Sequence, residues 1–161
     1  MNKFFNPKSI AIVGASRDHH KVGFVTLKNL RDAGYKGKIY PINPNAKIIL
    51  NEKCYPSVLA VKDSIDMAVI AVPADLSIKT LEECGKKNIL HVVMITAGFS
   101  EIGNHKLEEK LRTIIKKYKI RLIGPNCLGL LNNYADVDTL FLPASRLVRP
   151  RNGKISFITQ S

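Results

Sequence analysis

Acidic residues are scarce: 13 Asp and Glu stand against 25 Lys and Arg in 161 residues, a formal charge of +12. An excess of this sign suits a polyanionic partner, whether nucleic acid, anionic lipid or a phosphorylated small ligand. The cations are scattered, however. Lys86-Lys87 and Lys116-Lys117 lie on helix patterns, and Arg146, Arg149 and Arg151 lie in the tail. No basic strip interleaved with aromatics appears, so no nucleic-acid partner is expected. Cysteine is also rare. Cys54, Cys84 and Cys127 form an odd set without pairing or metal-ligand spacing, which excludes a disulfide framework and agrees with a reducing compartment. No apolar run reaches the roughly 20 residues that span a bilayer. The first seven residues, Met1 to Pro7, lack the apolar core of a signal peptide, so a cytoplasmic location without membrane contact is expected. What is present, 45% hydrophobic and 24% charged residues, suffices for one domain with a real core.

The strongest chemistry lies in Lys8-Ser9-Ile10-Ala11-Ile12-Val13-Gly14-Ala15-Ser16, with Lys21-Val22-Gly23 close behind. Ile10 to Val13 show no polar alternation, the pattern of a strand buried on both faces. Gly14 ends it where the backbone can turn without a Cβ. A helical face of Val22, Val25, Leu30 and Ala33 follows, with Gly34 placed as its C-terminal stop. Strand, small-residue turn and helix together present free backbone N–H groups to a phosphate. Ser16 adds a hydroxyl donor and Lys21 a charge. An anion site for a nucleotide diphosphate is expected here; a junction of this kind that binds nothing is the alternative. The G-x-G-x-x-G fingerprint is absent, because Ala15 and Ser16 follow Gly14 and the next glycine is Gly23. Nucleotide binding in general is supported, NAD in particular is not.

Further along, Lys38 to Asn43 reads as a second strand closed by prolines. Dinucleotide-binding folds place an Asp or Glu at the end of this strand to hold the ribose. Here Asn43 stands there, followed by Pro44-Asn45-Ala46-Lys47. Lys47 favours a phosphate on that ribose, which fits NADP or coenzyme A better than NAD; an incidental loop lysine is the other reading. Asn51 to Lys62 reads as a loop with a short helical turn. Asp66 to Ala74 is a third buried strand. Asp75 starts a helix bearing Ile78, Leu81 and Cys84, which Gly85 or Asn88 ends. Leu90 to Thr96 is a fourth strand running into Ala97-Gly98-Phe99. Leu107, Leu111, Ile114, Ile115 and Tyr118 make a helical stripe. Ile120 to Ile123 is a fifth strand before Gly124-Pro125-Asn126-Cys127-Leu128-Gly129. Asn132 to Pro150 reads as irregular, and Gly153 to Thr159 as a strand that either opens another domain or folds back as an edge.

Five strands alternating with three helices and one weak connection predict an α/β, Rossmann-like, doubly wound, mainly parallel five-stranded sheet with helices on both faces. Ligands in such sheets sit beyond the carboxyl ends of the strands. Each end here carries small or turn-forming residues: Gly14-Ala15-Ser16, Asn43-Pro44, Val72-Pro73-Ala74, Thr96-Ala97-Gly98 and Gly124-Pro125-Asn126.

Taken in order, these turns, with Gly37-Lys38-Ile39-Tyr40-Pro41-Ile42-Asn43-Pro44 and Gly124-Pro125-Asn126-Cys127-Leu128-Gly129 as the fullest stretches, resemble the N-terminal CoA-binding domain of ADP-forming acyl-CoA (acetyl-CoA) synthetases. That domain is related to the first domain of the succinyl-CoA synthetase alpha subunit. The resemblance covers essentially the whole chain and implies binding of CoA through its ADP portion. On it, Gly14, Ser16, Lys21, Val22 and Gly23 hold phosphates. Pro41, Asn43 and Lys47 flank the adenosine and its 3′-phosphate. Val72, Pro73 and Ser77 line the path of adenine and pantetheine, and Thr96, Gly98 and Asn126 face the thiol end. Succinyl-CoA synthetases carry a glutamate in the matching Thr-x-Gly turn; Ala97 here removes the basis for a succinate preference.

The same resemblance implies a division of labour. In the family, acid, CoA and ATP become acyl-CoA, ADP and phosphate through a phosphohistidine in a following domain, with an ATP-grasp domain binding the nucleotide. His19, His20, His91 and His105 match no such motif. Residues 1–150 are therefore expected to form the CoA-binding domain and 151–161 the start of the next, with CoA and the remaining synthetase parts as partners, no metal, and binding without catalysis by this chain alone. Cys127 is read as a small residue packed in a tight turn, with a thiol role beside CoA as the lesser alternative. An NAD(P)-dependent oxidoreductase or nucleotide-responsive regulator on the same fold is the competing function. It is disfavoured by the missing carboxylate and by the lack of an acid–base set for hydride transfer.

Overall fold

The computed structural model describes residues 2–150 and 152–153. A short helix α1 (Asn2–Phe5) leads into β1 (Ser9–Val13), α2 (Val22–Asp32) and β2 (Lys38–Ile42). The two-residue strands β3 (Ile48–Ile49) and β4 (Glu52–Lys53) come next. Then follow β5 (Met67–Ile70), α3 (Ala74–Lys86), β6 (His91–Met94), α4 (His105–Tyr118) and β7 (Arg121–Ile123). A last pair, β8 (Leu131–Asn132) and β9 (Val137–Asp138), lies in the tail.

The main sheet runs β2-β1-β5-β6-β7, with every neighbour parallel. β1 and β5 are buried at all their positions, which is why their sequences show no alternation. Along β1 the side chains part between two cores. Ile10 and Ile12 pack with Leu27 and Leu30 of α2. Ala11 and Val13 join Leu81 of α3 and Leu107, Leu111 and Ile114 of α4 on the opposite face. Helices thus cover both faces, as the alternating pattern predicts. At the β2 edge, Pro41 has no N–H to leave unpaired. Tyr55 covers that edge: its N–H donates to Pro41 O at 2.9 Å and its carbonyl accepts from Asn43 N–H at 2.8 Å.

The structure selects between two expected stops in one place and changes two other local readings. Of Gly85 and Asn88, Asn88 serves as the stop of α3: the helix runs to Lys86, and Asn88 takes a positive φ of +64° just beyond it. Gly85 lies inside the helix because the Tyr118 ring packs on it; a Cβ there would sit 2.3 Å from Tyr118 Cγ. The weak connection between β2 and β5 contains a hairpin, β3 with β4, turned at Leu50 and Asn51 with φ of +48° and +63°. Two positive φ values in a two-residue loop suit the twist of a hairpin. A 3₁₀ turn at Val58–Ala60 supplies the expected short helical piece. The tail is also more ordered than its composition implied. β8 and β9 pair antiparallel, and Asn29 Nδ2 donates to both Leu140 O and Leu142 O at 2.9 Å. The strand expected over Gly153 to Thr159 falls, from Lys154 onward, outside the described residues.

Candidate functional site

From β1 the chain passes through α2 to β2 on one side, and from β5 through α3 to β6 on the other. Loops leaving β1 and β5 therefore diverge, opening a crevice at their carboxyl ends. Hydrogen bonds stitch all five ends into one ledge. Gly14 N–H donates to Ile42 O at 3.1 Å, Ala71 N–H to Val13 O at 2.9 Å and Ile95 N–H to Ile70 O at 3.0 Å. The Thr96 hydroxyl donates to Val72 O at 2.7 Å, and Asn126 N–H to Thr96 O at 2.9 Å.

The glycine turn is built on close backbone approach. Gly14 has φ +91°, and a Cβ on it would lie 2.3 Å from Ala71 O. A Cβ on Gly23 would lie 1.9 Å from Gly14 O. The first turn of α2 is thus seated directly on the end of β1, at longer sequence spacing than a G-x-G-x-x-G turn. Lys21 precedes α2 without a side-chain cap, so the positive end of that helix is open to an anion. Ser16 is half-buried beneath this loop; its oxygen accepts Asp18 N–H at 3.0 Å, leaving its own O–H to donate. Lys21 and Val22 are exposed at the helix start. Between them and Ser16, the exposed Asp18, His19 and His20 bring a carboxylate and two imidazoles within 4.8 Å of one another. Asp18 Oδ1 is already engaged by His20 N–H at 2.9 Å.

Sequence-predicted residues divide into those that reach the ledge and those that build it. Asn43 ties two loops: its Nδ2 donates to Ala15 O at 2.7 Å and its Oδ1 accepts from Asn45 N–H at 2.8 Å. Pro41 is buried in β2 opposite Ile12, while Lys47 is exposed just past the strand. Val72 is half-buried and Pro73 exposed at the start of α3. Ser77 is fully buried, and its hydroxyl donates to Ala74 O at 2.6 Å inside the first turn of α3. Gly98 has φ +113°, and a Cβ on it would lie 3.0 Å from Ala74 Cβ. Asn126 is exposed, in the left-handed region at φ +54°.

Two residues of this region escaped the sequence reading. Glu101 accepts backbone N–H groups from Gly98 and Phe99, and Asn104 donates to Gly98 O while capping α4. A Glu shortly after a glycine turn, at the start of a helical piece, is the available signal. Cys127 Sγ lies 3.3 Å from Met94 O, and burial pushes its thiol pKa up. It is packed in the turn. His91 stands at the amino end of β6, edge-on to Phe4, at the far end of the strand from the ledge. A cavity of about 430 Å³ lies away from these residues, along the outer edge of β2 beside Arg31, Lys38, Tyr40 and Lys53. Among the described residues, no helix is long and apolar enough to cross a membrane.

Comparison with known proteins agrees with this geometry. An ADP-forming acetate–CoA ligase of Methanocaldococcus jannaschii is 52% identical over 155 residues, covering 96% of this chain and 21% of that protein. The alpha subunit of ADP-forming acetate–CoA ligase II of Pyrococcus furiosus is 42% identical over 164 residues, 100% of this chain and 34% of the subunit. The chain thus spans between about a fifth and a third of the length of these relatives. Among solved structures, dinucleotide-forming acetyl-coenzyme A synthetase 1 of Ca. Korarchaeum cryptofilum, in complex with phosphate and ADP, superposes with a TM-score of 0.86 at 45% identity. That match covers 88% of this chain and 31% of the other. The family described as CoA binding domain matches residues 8–133, from just before β1 to just past β8, and the chain belongs to it.

Proposed function

We propose that this chain binds coenzyme A along the ledge and is the CoA-binding part of an ADP-forming acyl-CoA synthetase. The observation that carries this reading is the seating of Gly23 on Gly14 O, which sets the uncapped end of α2 over a glycine turn. A diphosphate is the ligand such an end receives. Gly14, Ser16, Lys21, Val22 and Gly23 hold it, with Ser16 donating its free O–H. Pro41, Asn43 and Lys47 flank the adenosine, with Lys47 toward the 3′-phosphate. The absence of a carboxylate at Asn43, whose amide already bridges Ala15 and Asn45, supports a phosphorylated ribose over that of NAD. Val72 and Pro73 line the path to the pantetheine arm, and Ser77 shapes the start of α3 beneath it. Thr96, Gly98 and Asn126 form the thiol end.

In this reading CoA is a substrate: acid, CoA and ATP give acyl-CoA, ADP and phosphate. This chain's residues bind and orient CoA, and other synthetase domains or subunits supply the ATP site and the phosphoryl carrier. The names of the relatives, long ligases and alpha subunits, support that division. Calorimetric titration with CoA, 3′-dephospho-CoA, NAD and NADP tests it. CoA is expected to bind, more weakly without the 3′-phosphate. Binding of NAD with indifference to CoA would overturn the reading.

A further inference from the structure

The turn from Thr96 to Ser100 ends β6 and carries the part of the ledge nearest α3, and its backbone is held from outside the ledge. Glu101 takes the Gly98 N–H on one carboxylate oxygen and the Phe99 N–H on the other, the latter at 3.1 Å. Asn104 Nδ2 holds Gly98 O at 3.2 Å, while its Oδ1 accepts Leu107 N–H. The peptide between Gly98 and Phe99 is therefore gripped at both ends. Phe99 anchors the turn with a fully buried side chain, and the Thr96 hydroxyl ties the other end to Val72 O. In a trans peptide the carbonyl points opposite to the N–H. Pinning Gly98 N–H to Glu101 thus turns the carbonyl of the exposed Ala97 away from Glu101.

We infer that Glu101 is a positioning residue for the thiol end of CoA: by holding Gly98 N–H and Phe99 N–H it presents the Ala97 carbonyl to an N–H or S–H donor on the pantetheine arm. The inference rests on the CoA reading above. The clamp works as a carboxylate, because a neutral amide has only one oxygen to share between two N–H groups. The Gly98 N–H chiefly holds the Glu101 carboxyl below its ordinary range, against partial desolvation and, to a lesser degree, the Glu108 carboxylate of α4, which is itself paired with Arg112. The clamp therefore stays charged across neutral pH.

The test separates the two ends of the ligand. Wild-type chain, Glu101→Ala and Glu101→Gln are titrated with CoA and with 3′-phospho-ADP, which has the nucleotide end but no pantetheine. Glu101→Ala is expected to weaken CoA about tenfold and leave 3′-phospho-ADP within about twofold, with Glu101→Gln between. Unchanged CoA affinity in both variants would overturn the inference, and so would equal losses for both ligands, which would mark a merely structural role. A wild-type chain that binds neither ligand would overturn the CoA reading itself, and this inference with it.

Discussion

Replacing Gly23 by alanine sets helix propensity against packing, and the structure decides between them. Alanine is better than glycine inside a helix by about 1 kcal/mol, so sequence logic alone predicts a more stable α2. The new Cβ, however, would stand 1.9 Å from Gly14 O, 2.5 Å from Gly14 C and 3.0 Å from Ala15 Cα, all of them backbone atoms. Contact between such atoms needs about 3.5 Å, so the first turn of α2 must retreat by roughly 1.5 Å. Overpacking of this kind costs about 1–3 kcal/mol, leaving a net loss of about 1 kcal/mol and a Tm lower by about 3 °C in a chain of this size. The larger effect falls on the ligand. A helix end displaced by more than an ångström no longer aims its N–H groups at the diphosphate, and CoA affinity is expected to fall at least about tenfold. Gly34→Ala is the control: φ is +84° with open space around the new Cβ. It should cost stability through backbone strain alone and leave CoA affinity unchanged. Paired thermal melts and calorimetric titrations read both quantities. A Gly23→Ala chain that melts higher than wild type and binds CoA as well would refute the reasoning.

Other outcomes follow from particular contacts. Burial alone would raise the Asp66 carboxyl, but the Lys3 ammonium at 2.8 Å and the Lys8 N–H at 2.9 Å outweigh it and hold it below the usual range. Stability from a depressed carboxyl is complete above about pH 4 and lost as pH falls through the folded value. Asp66→Asn should therefore lower Tm at neutral pH and flatten the acid limb; an unaltered acid limb would contradict this. Arg149 and Asp138 form a largely buried ion pair. Arg149→Met strands the Asp138 carboxylate and should cost about 3 kcal/mol in urea unfolding, part of it recovered by adding Asp138→Asn. Burial pushes the Cys84 thiol up to about 12 and raises those of Cys54 and Cys127. All three should react with a disulfide reagent at neutral pH far more slowly in the native chain than in urea, and a native burst of one thiol would point to an activated cysteine.

The residues fall into two groups by how far their meaning could be read from sequence. Strand and helix periods are local, so β1 at Ser9–Val13 and the stripe of α4 were visible as patterns. Gly14, the missing carboxylate at Asn43 and the five turn-forming strand ends were visible too, because residue type alone limits what a backbone can do there. The β3–β4 hairpin escaped because two-residue strands carry no period, and the ordered tail because Asn29, which pins it, lies more than a hundred residues away. Side-chain direction was decided only in three dimensions. Ser77, expected along the ligand path, is one such case: only the fold shows that its hydroxyl donates to Ala74 O within the first turn of α3. Asn43 bridges two loops through its amide, and Glu101 grips a turn whose one sequence signal, a Glu shortly after a glycine turn, does not say which N–H groups it takes. Sequence by itself determined the order of the five main strands and the three long helices, and the residue types at each strand end. Tertiary structure alone decided that Gly23 meets Gly14 and which polar atoms remain free for a ligand, since hydrogen bonds go to whichever partners the packed fold brings within reach.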